Sequence, residues 1–147
     1  MHTPSSDDML HHPPPLDINV LIVDDHSNMR MIMREFLRNF GVTSVHGAGN
    51  GIDALAWLNF PNNPSPDIIL CDLHMEAMDG LEFSATVRRG KTPANKDVPI
   101  LLLTGERDAM VLEVAEQVGV NCVLLKPIAP QELADEISRA VGYEMAS

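Results

Sequence analysis

The sequence predicts an α/β domain: a doubly wound, five-stranded parallel sheet with five helices. Short apolar runs rich in Val, Ile and Leu alternate strictly with amphipathic stretches of helical spacing. Runs with no polar face are strands buried on both sides, which parallel sheets covered by crossover helices require. The runs also end alike. Acids, a threonine and a lysine follow four of them, and ligands of such sheets bind outside the carboxyl ends of the strands.

The first strand is read over INVLIV (18–23), apolar but for Asn19. Met29, Ile32, Met33, Phe36 and Phe40 then recur at helical spacing, with Gly41 as the stop signal. TSVHGA is a weak second strand, and Ile52, Leu55 and Leu58 mark a short helix ending before Pro61. DIILC is the third strand. The helix after Asp79-Gly80 carries Leu81, Phe83 and Val87. VPILLLT (98–104) is the fourth strand, followed by helical spacing at Val111, Val114, Ala115 and Val118 up to Gly119. CVLL is the fifth. Pro130, suited to a first helical turn, opens a last helix with Leu133, Ile137 and Val141.

Residues 1–16 are rich in Pro, Ser, Asp and His without periodicity and are read as a flexible arm, leaving 17–147 as the domain. The adjacent His11 and His12 are assigned no function. With 147 residues and 45% hydrophobic composition, one domain with a sizeable core is expected. A formal net charge of −11 and the lack of a basic run exclude nucleic acid as a direct ligand. Cys71 and Cys122 sit in apolar runs and read as core residues of a reducing compartment. No apolar stretch reaches membrane-spanning length, and no signal-peptide pattern opens the chain, so a cytoplasmic location is expected.

Asp24, Asp25, Asp72, Thr104 and Lys126 therefore meet at one rim. Three ionised carboxylates repel one another and call for a cation. Carboxylate and carbonyl oxygens suit Mg²⁺, while a lysine and a hydroxyl meet an anion. Together these groups describe a phosphoryl site in which a carboxylate serves as nucleophile.

The acidic pair in VDDHSNMR, the segment DLHMEAMDG, then LLLTG and LLKP, in that order, resemble the signature positions of response-regulator receiver domains. The resemblance spans nearly everything except the arm. It implies a flavodoxin-like sheet of order 2-1-3-4-5 and makes Asp72 the phosphoacceptor, with Thr104 and Lys126 on phosphoryl oxygens. It places Mg²⁺ on Asp25, Asp72 and the backbone carbonyl of His74, with Asp24 acting mainly through a bound water. Pro127 matches a cis Lys-Pro bond, and Gly80 a tight turn of the backbone. The implied partners are a histidine kinase or histidine phosphotransfer protein, and a downstream target on the face of the last strand and the fourth and fifth helices. Only a few residues follow the last helix, so a single-domain regulator acting through protein contacts, rather than an enzyme, is expected.

Three positions depart from the family pattern: Glu76 where proline is common, Gly105 where alanine is common, and Val123 in place of an aromatic ring. They motivate an alternative, a receiver-shaped interaction module that is not phosphorylated. His74 and Glu106 occupy positions that tune phosphoryl lifetime in the family. Of Met29, Met31 and Met33, core packing is expected for at least two, an outward-facing one being suited to docking a partner helix. A haloacid-dehalogenase-type phosphohydrolase also combines these residue types, but it carries Asp-x-Asp after the first strand, and here no acid stands two residues after Asp24.

Overall fold

A computed structural model describes residues 16–142 of the chain. The elements alternate as β1 (Leu16–Val23), α1 (Ser27–Asn39), β2 (Val42–Ala48), α2 (Gly51–Asn59), β3 (Ile68–Asp72), α3 (Gly80–Arg88), β4 (Ile100–Thr104), α4 (Ala109–Val118), β5 (Cys122–Leu125) and α5 (Pro130–Val141). All strand pairs are parallel, in the order β2-β1-β3-β4-β5. The arm read over 1–16 lies outside the described residues except for Leu16, which opens β1.

Side chains of a strand point alternately to the two faces of the sheet, and here each face is a core. Ile18, Val20 and Ile22 of β1 pack with Met33 and Leu37 of α1 and with Leu133, Ala134 and Ile137 of α5. Leu21 and Val23 point the other way, toward Ala54 and Leu58 of α2, Phe83 and Val87 of α3 and Ala115 of α4. Every residue of β3 and β4 is buried. This explains why those runs carry no polar alternation.

The helix faces were less legible. Ile32, Ile52 and Val114 are substantially exposed, although their spacing assigns them to the core. A helix lying on a sheet buries only a narrow stripe: Met33 and Leu37 on α1, Gly51, Ala54 and Leu58 on α2. Ile32 and Ile52 sit on the flank of their stripes. The three methionines divide as expected: Met33 is buried, Met29 packs partly against the core, and Met31 is exposed. β4 begins at Ile100 rather than Val98, since Pro99 has no N–H to give a ladder. Asp108, at the start of α4, caps it by accepting from the Met110 N–H, and Gly119 ends it with φ of 96°.

Gly80 is not a left-handed turn residue. It is the first residue of α3, capped by Asp79, and its N–H donates to the Leu73 carbonyl at 2.8 Å. A Cβ there would stand 2.5 Å from the Asp72 carbonyl oxygen and 3.0 Å from Leu73 Cα. Close approach of two backbones, rather than a special φ, demands glycine. Gly105 is the opposite case: a Cβ would meet nothing within 4 Å. Gly80→Ala is expected to lower unfolding free energy by roughly 1–3 kcal/mol, as overpacking does. Gly105→Ala is expected to raise it by roughly 0.4–1 kcal/mol through the unfolded chain. Urea denaturation of the two variants beside the parent checks both.

Candidate functional site

The parallel ladders continue past the strand ends and so aim the polar residues at one rim. The Asp24 N–H donates to the Ala48 carbonyl at 3.1 Å, the Leu73 N–H to the Leu103 carbonyl at 2.8 Å, and the Lys126 N–H to the Thr104 carbonyl at 2.7 Å. Asp72 closes β3 opposite Leu103, and Thr104 closes β4 opposite Leu125. The Lys126–Pro127 peptide bond is cis.

Asp24, Asp72 and Thr104 are buried at this rim, whereas Asp25 is exposed. Lys126 reaches from beyond β5 across the end of β4, and its Nζ donates to Asp72 Oδ1 at 2.9 Å. The same ammonium stands 3.9 Å from Asp24 Oδ2, too far for a hydrogen bond. Asp24 Oδ1 accepts from the His26 N–H at 2.8 Å. Asp24 Oδ2 is buried and has no hydrogen-bond partner. Leaving a buried carboxylate oxygen without a donor is costly.

Asp72 is held above the ordinary aspartate range, chiefly by burial, with the neighbouring charges of Asp24 and Asp25 adding to it and Lys126 opposing. Thr104 is turned toward its own loop. Its hydroxyl donates to the Glu106 carbonyl at 3.3 Å and accepts from the Glu106 N–H at 3.4 Å. Beside it, half-buried Val123 lines a cavity of about 10 Å³ together with Thr104, Val111 and Leu125. That is room for about one water. Glu76 is exposed, as are His74 and Glu106, whose Nε2 and Oε1 atoms stand 3.8 Å apart.

The structure thus brings Asp24, Asp25, Asp72 and Lys126 into one cluster and places Thr104 at the neighbouring strand end. Two participants were not singled out in the sequence. His26 joins the acids: donor atoms of Asp24, Asp25, His26 and Asp72 all lie within 4.8 Å of one another. Arg30 Nη1 donates to the main-chain carbonyl of Asp24. His26 stands directly after the acid pair, and Arg30 one helical turn further on, so adjacency was the available signal. A set of carboxylates with an orphaned buried oxygen fits a divalent cation, which would satisfy what no donor here reaches.

Residues 20–138 match the response regulator receiver domain family. The chain belongs to that family. Receiver domains are signalling switches of two-component systems. Among curated proteins, a chemotaxis protein CheY homolog of Campylobacter jejuni is 32% identical over 125 residues, 85% of this chain and 93% of its own length. The cyclic di-GMP phosphodiesterase response regulator RpfG of Xanthomonas campestris is 36% identical over 133 residues, 90% of this chain. The chain spans only about a third of RpfG, since the match covers 34% of it. Among solved structures, Vibrio cholerae CheY4 superposes with a TM-score of 0.73 at 32% identity, covering 84% of this chain and 98% of CheY4. The receiver domain of the Pseudomonas aeruginosa sensor histidine kinase PA1611, solved with magnesium in its active-site cleft, gives 0.74 at 26% identity, covering 86% and 99%. Among the described residues no helix is long and apolar enough to cross a membrane.

The raised pKa of Asp72 has a consequence for stability. The folded state binds the Asp72 proton more tightly than the unfolded chain does. Its favourable contribution is therefore present below the unfolded pKa of about 3.9 and is lost as pH rises through the folded value. At neutral pH the ionised group opposes folding. Asp72→Asn, neutral and of the same shape, is expected to raise Tm at pH 7 in the presence of a chelator. The gain should shrink steadily as pH falls toward 4, and thermal melts of both proteins over that range check it.

Proposed function

We propose that the chain is a response regulator that accepts a phosphoryl group on Asp72 from a histidine kinase or histidine phosphotransfer protein. The observation carrying this reading is the buried Asp72 carboxylate paired with Lys126 at 2.9 Å, beside a second buried carboxylate that has an unpartnered oxygen. A carboxylate oxygen of Asp72 attacks phosphorus, the P–N bond of the donor phosphohistidine breaks, and the protonated imidazole leaves. Asp25, Asp72 and the main-chain carbonyl of His74 would hold Mg²⁺, with Asp24 acting through a bound water. When bound, the cation neutralises charge on the transferring group. Lys126 draws one phosphoryl oxygen as a point charge, and the Thr104 hydroxyl leaves Glu106 to donate to another. His74 and Glu106 flank the entry and set how readily water reaches the aspartyl phosphate.

Output then passes through protein contacts on the β5, α4 and α5 face, or by onward relay of the phosphoryl group, in the cytoplasm. Met110, Val114 and Leu125 are exposed on α4 and β5 and give that face its apolar character. A second reading, a receiver-shaped binding module that is never phosphorylated, draws on Val123: no aromatic ring couples Thr104 to the output face, and the space between the two is water-sized.

Incubation with acetyl phosphate followed by intact mass measurement separates the two. A single phosphoryl adduct is expected with Mg²⁺, none after chelation, and none in Asp72→Asn. If neither acetyl phosphate nor a phosphorylated histidine phosphotransfer protein labels the chain while Mg²⁺ binds, the binding-module reading stands instead.

A further inference from the structure

One side chain in the acidic cluster is not a carboxylate. His26 Nδ1 lies 2.9 Å from Asp25 Oδ1 and 3.3 Å from Asp24 Oδ1. In an octahedral site with ligands at about 2.1 Å, neighbouring ligand atoms stand about 3.0 Å apart and opposed ones about 4.2 Å. The spacing of His26 from Asp25, a ligand in the site read above, is that of neighbouring corners. The ring is held there by its backbone. His26 immediately precedes α1, and its N–H is fixed on Asp24 Oδ1 at 2.8 Å. The ring makes no capping bond to the helix, so its nitrogen is not committed to that task.

Independently of the histidine, the orphaned Asp24 Oδ2 belongs to a residue of the same cluster and calls for a ligand. Its side chain is 1% exposed, and the oxygen has no hydrogen-bond partner. Lys126, the ammonium that comes nearest to it among the described residues, is engaged with Asp72.

We propose that His26 is a metal ligand through Nδ1, and that it makes this site select a first-row divalent ion such as Mn²⁺ over Mg²⁺. The inference rests on the cation site read above and goes beyond it. Mg²⁺ favours oxygen ligands throughout, whereas an imidazole nitrogen beside carboxylates raises affinity for transition metals in the Irving–Williams order. A water-exposed imidazolium–carboxylate pair is the competing account of the same contacts, and such pairs contribute little.

Pulsed EPR of the full chain loaded with Mn²⁺ tests this directly. Modulation from a directly bound ¹⁴N is expected in the parent and should vanish in His26→Ser. Serine is a favoured residue at a helix N-cap and too short to reach the ion. Titrations with Mn²⁺ and Mg²⁺ should show Mn²⁺ affinity falling about tenfold or more in this variant, a loss in the range seen for disturbed metal ligands, and Mg²⁺ affinity falling less. Bound Mn²⁺ without nitrogen coupling, or coupling that persists in His26→Ser, overturns the assignment and leaves an oxygen-only cation site standing. Failure of both ions to bind overturns the cation site itself along with it.

Discussion

The contact between Lys126 and Asp72 joins the ends of two strands that are not neighbours, with β4 lying between them. Among the described residues Lys126 is the one ammonium that reaches the three carboxylates, 2.9 Å from Asp72 and 3.9 Å from Asp24. The site is short of positive charge by construction. Burial of Asp24 and Asp72 sharpens the shortage, because repulsion and desolvation both grow where water is excluded. A divalent cation held by these carboxylates would relieve the imbalance.

What keeps those charges together is the sheet. Asp24, Asp72 and Lys126 are fixed by ladder bonds or pairing at or beyond the last regular pair of their strands, so the apolar layers on both faces set the positions of these polar groups. Gly80 closes the arrangement from above by letting α3 approach the Asp72 carbonyl more closely than any side chain allows. Thr104 is held differently. Its two bonds to Glu106, at 3.3 and 3.4 Å, are long, so little is lost when the hydroxyl turns elsewhere.

The sheet and the strand-end residues were readable from the sequence because both follow from local patterns: unbroken apolar runs for burial on two faces, and polar residues where the runs stop. Helix faces were harder. Ile32, Ile52 and Val114 have the spacing of core residues, yet only one stripe of each helix touches the sheet, and spacing alone does not say which. Gly80 was read as a turn because glycine permits many things; that a carbonyl from another element lies against it is a fact about packing. His26 escaped notice for the same reason. Its ring has to fold back onto the acids to matter, and a histidine before a helix says nothing about direction.

Cys71 stands one residue before Asp72, and its thiol is fully enclosed in the layer beneath the site, where it donates to the Asp72 carbonyl at 3.3 Å. Burial pushes that thiol well above its ordinary pKa, and the negative charges of Asp72, Asp24 and Asp79 push it further. The carboxylates that invite a cation thereby suppress thiolate in the adjoining residue. Sulfur is the stronger intrinsic nucleophile, but only as its anion. The Cys71–Asp72 step therefore offers oxygen rather than sulfur to an incoming electrophile, and it is also insulated from oxidants that act through thiolate.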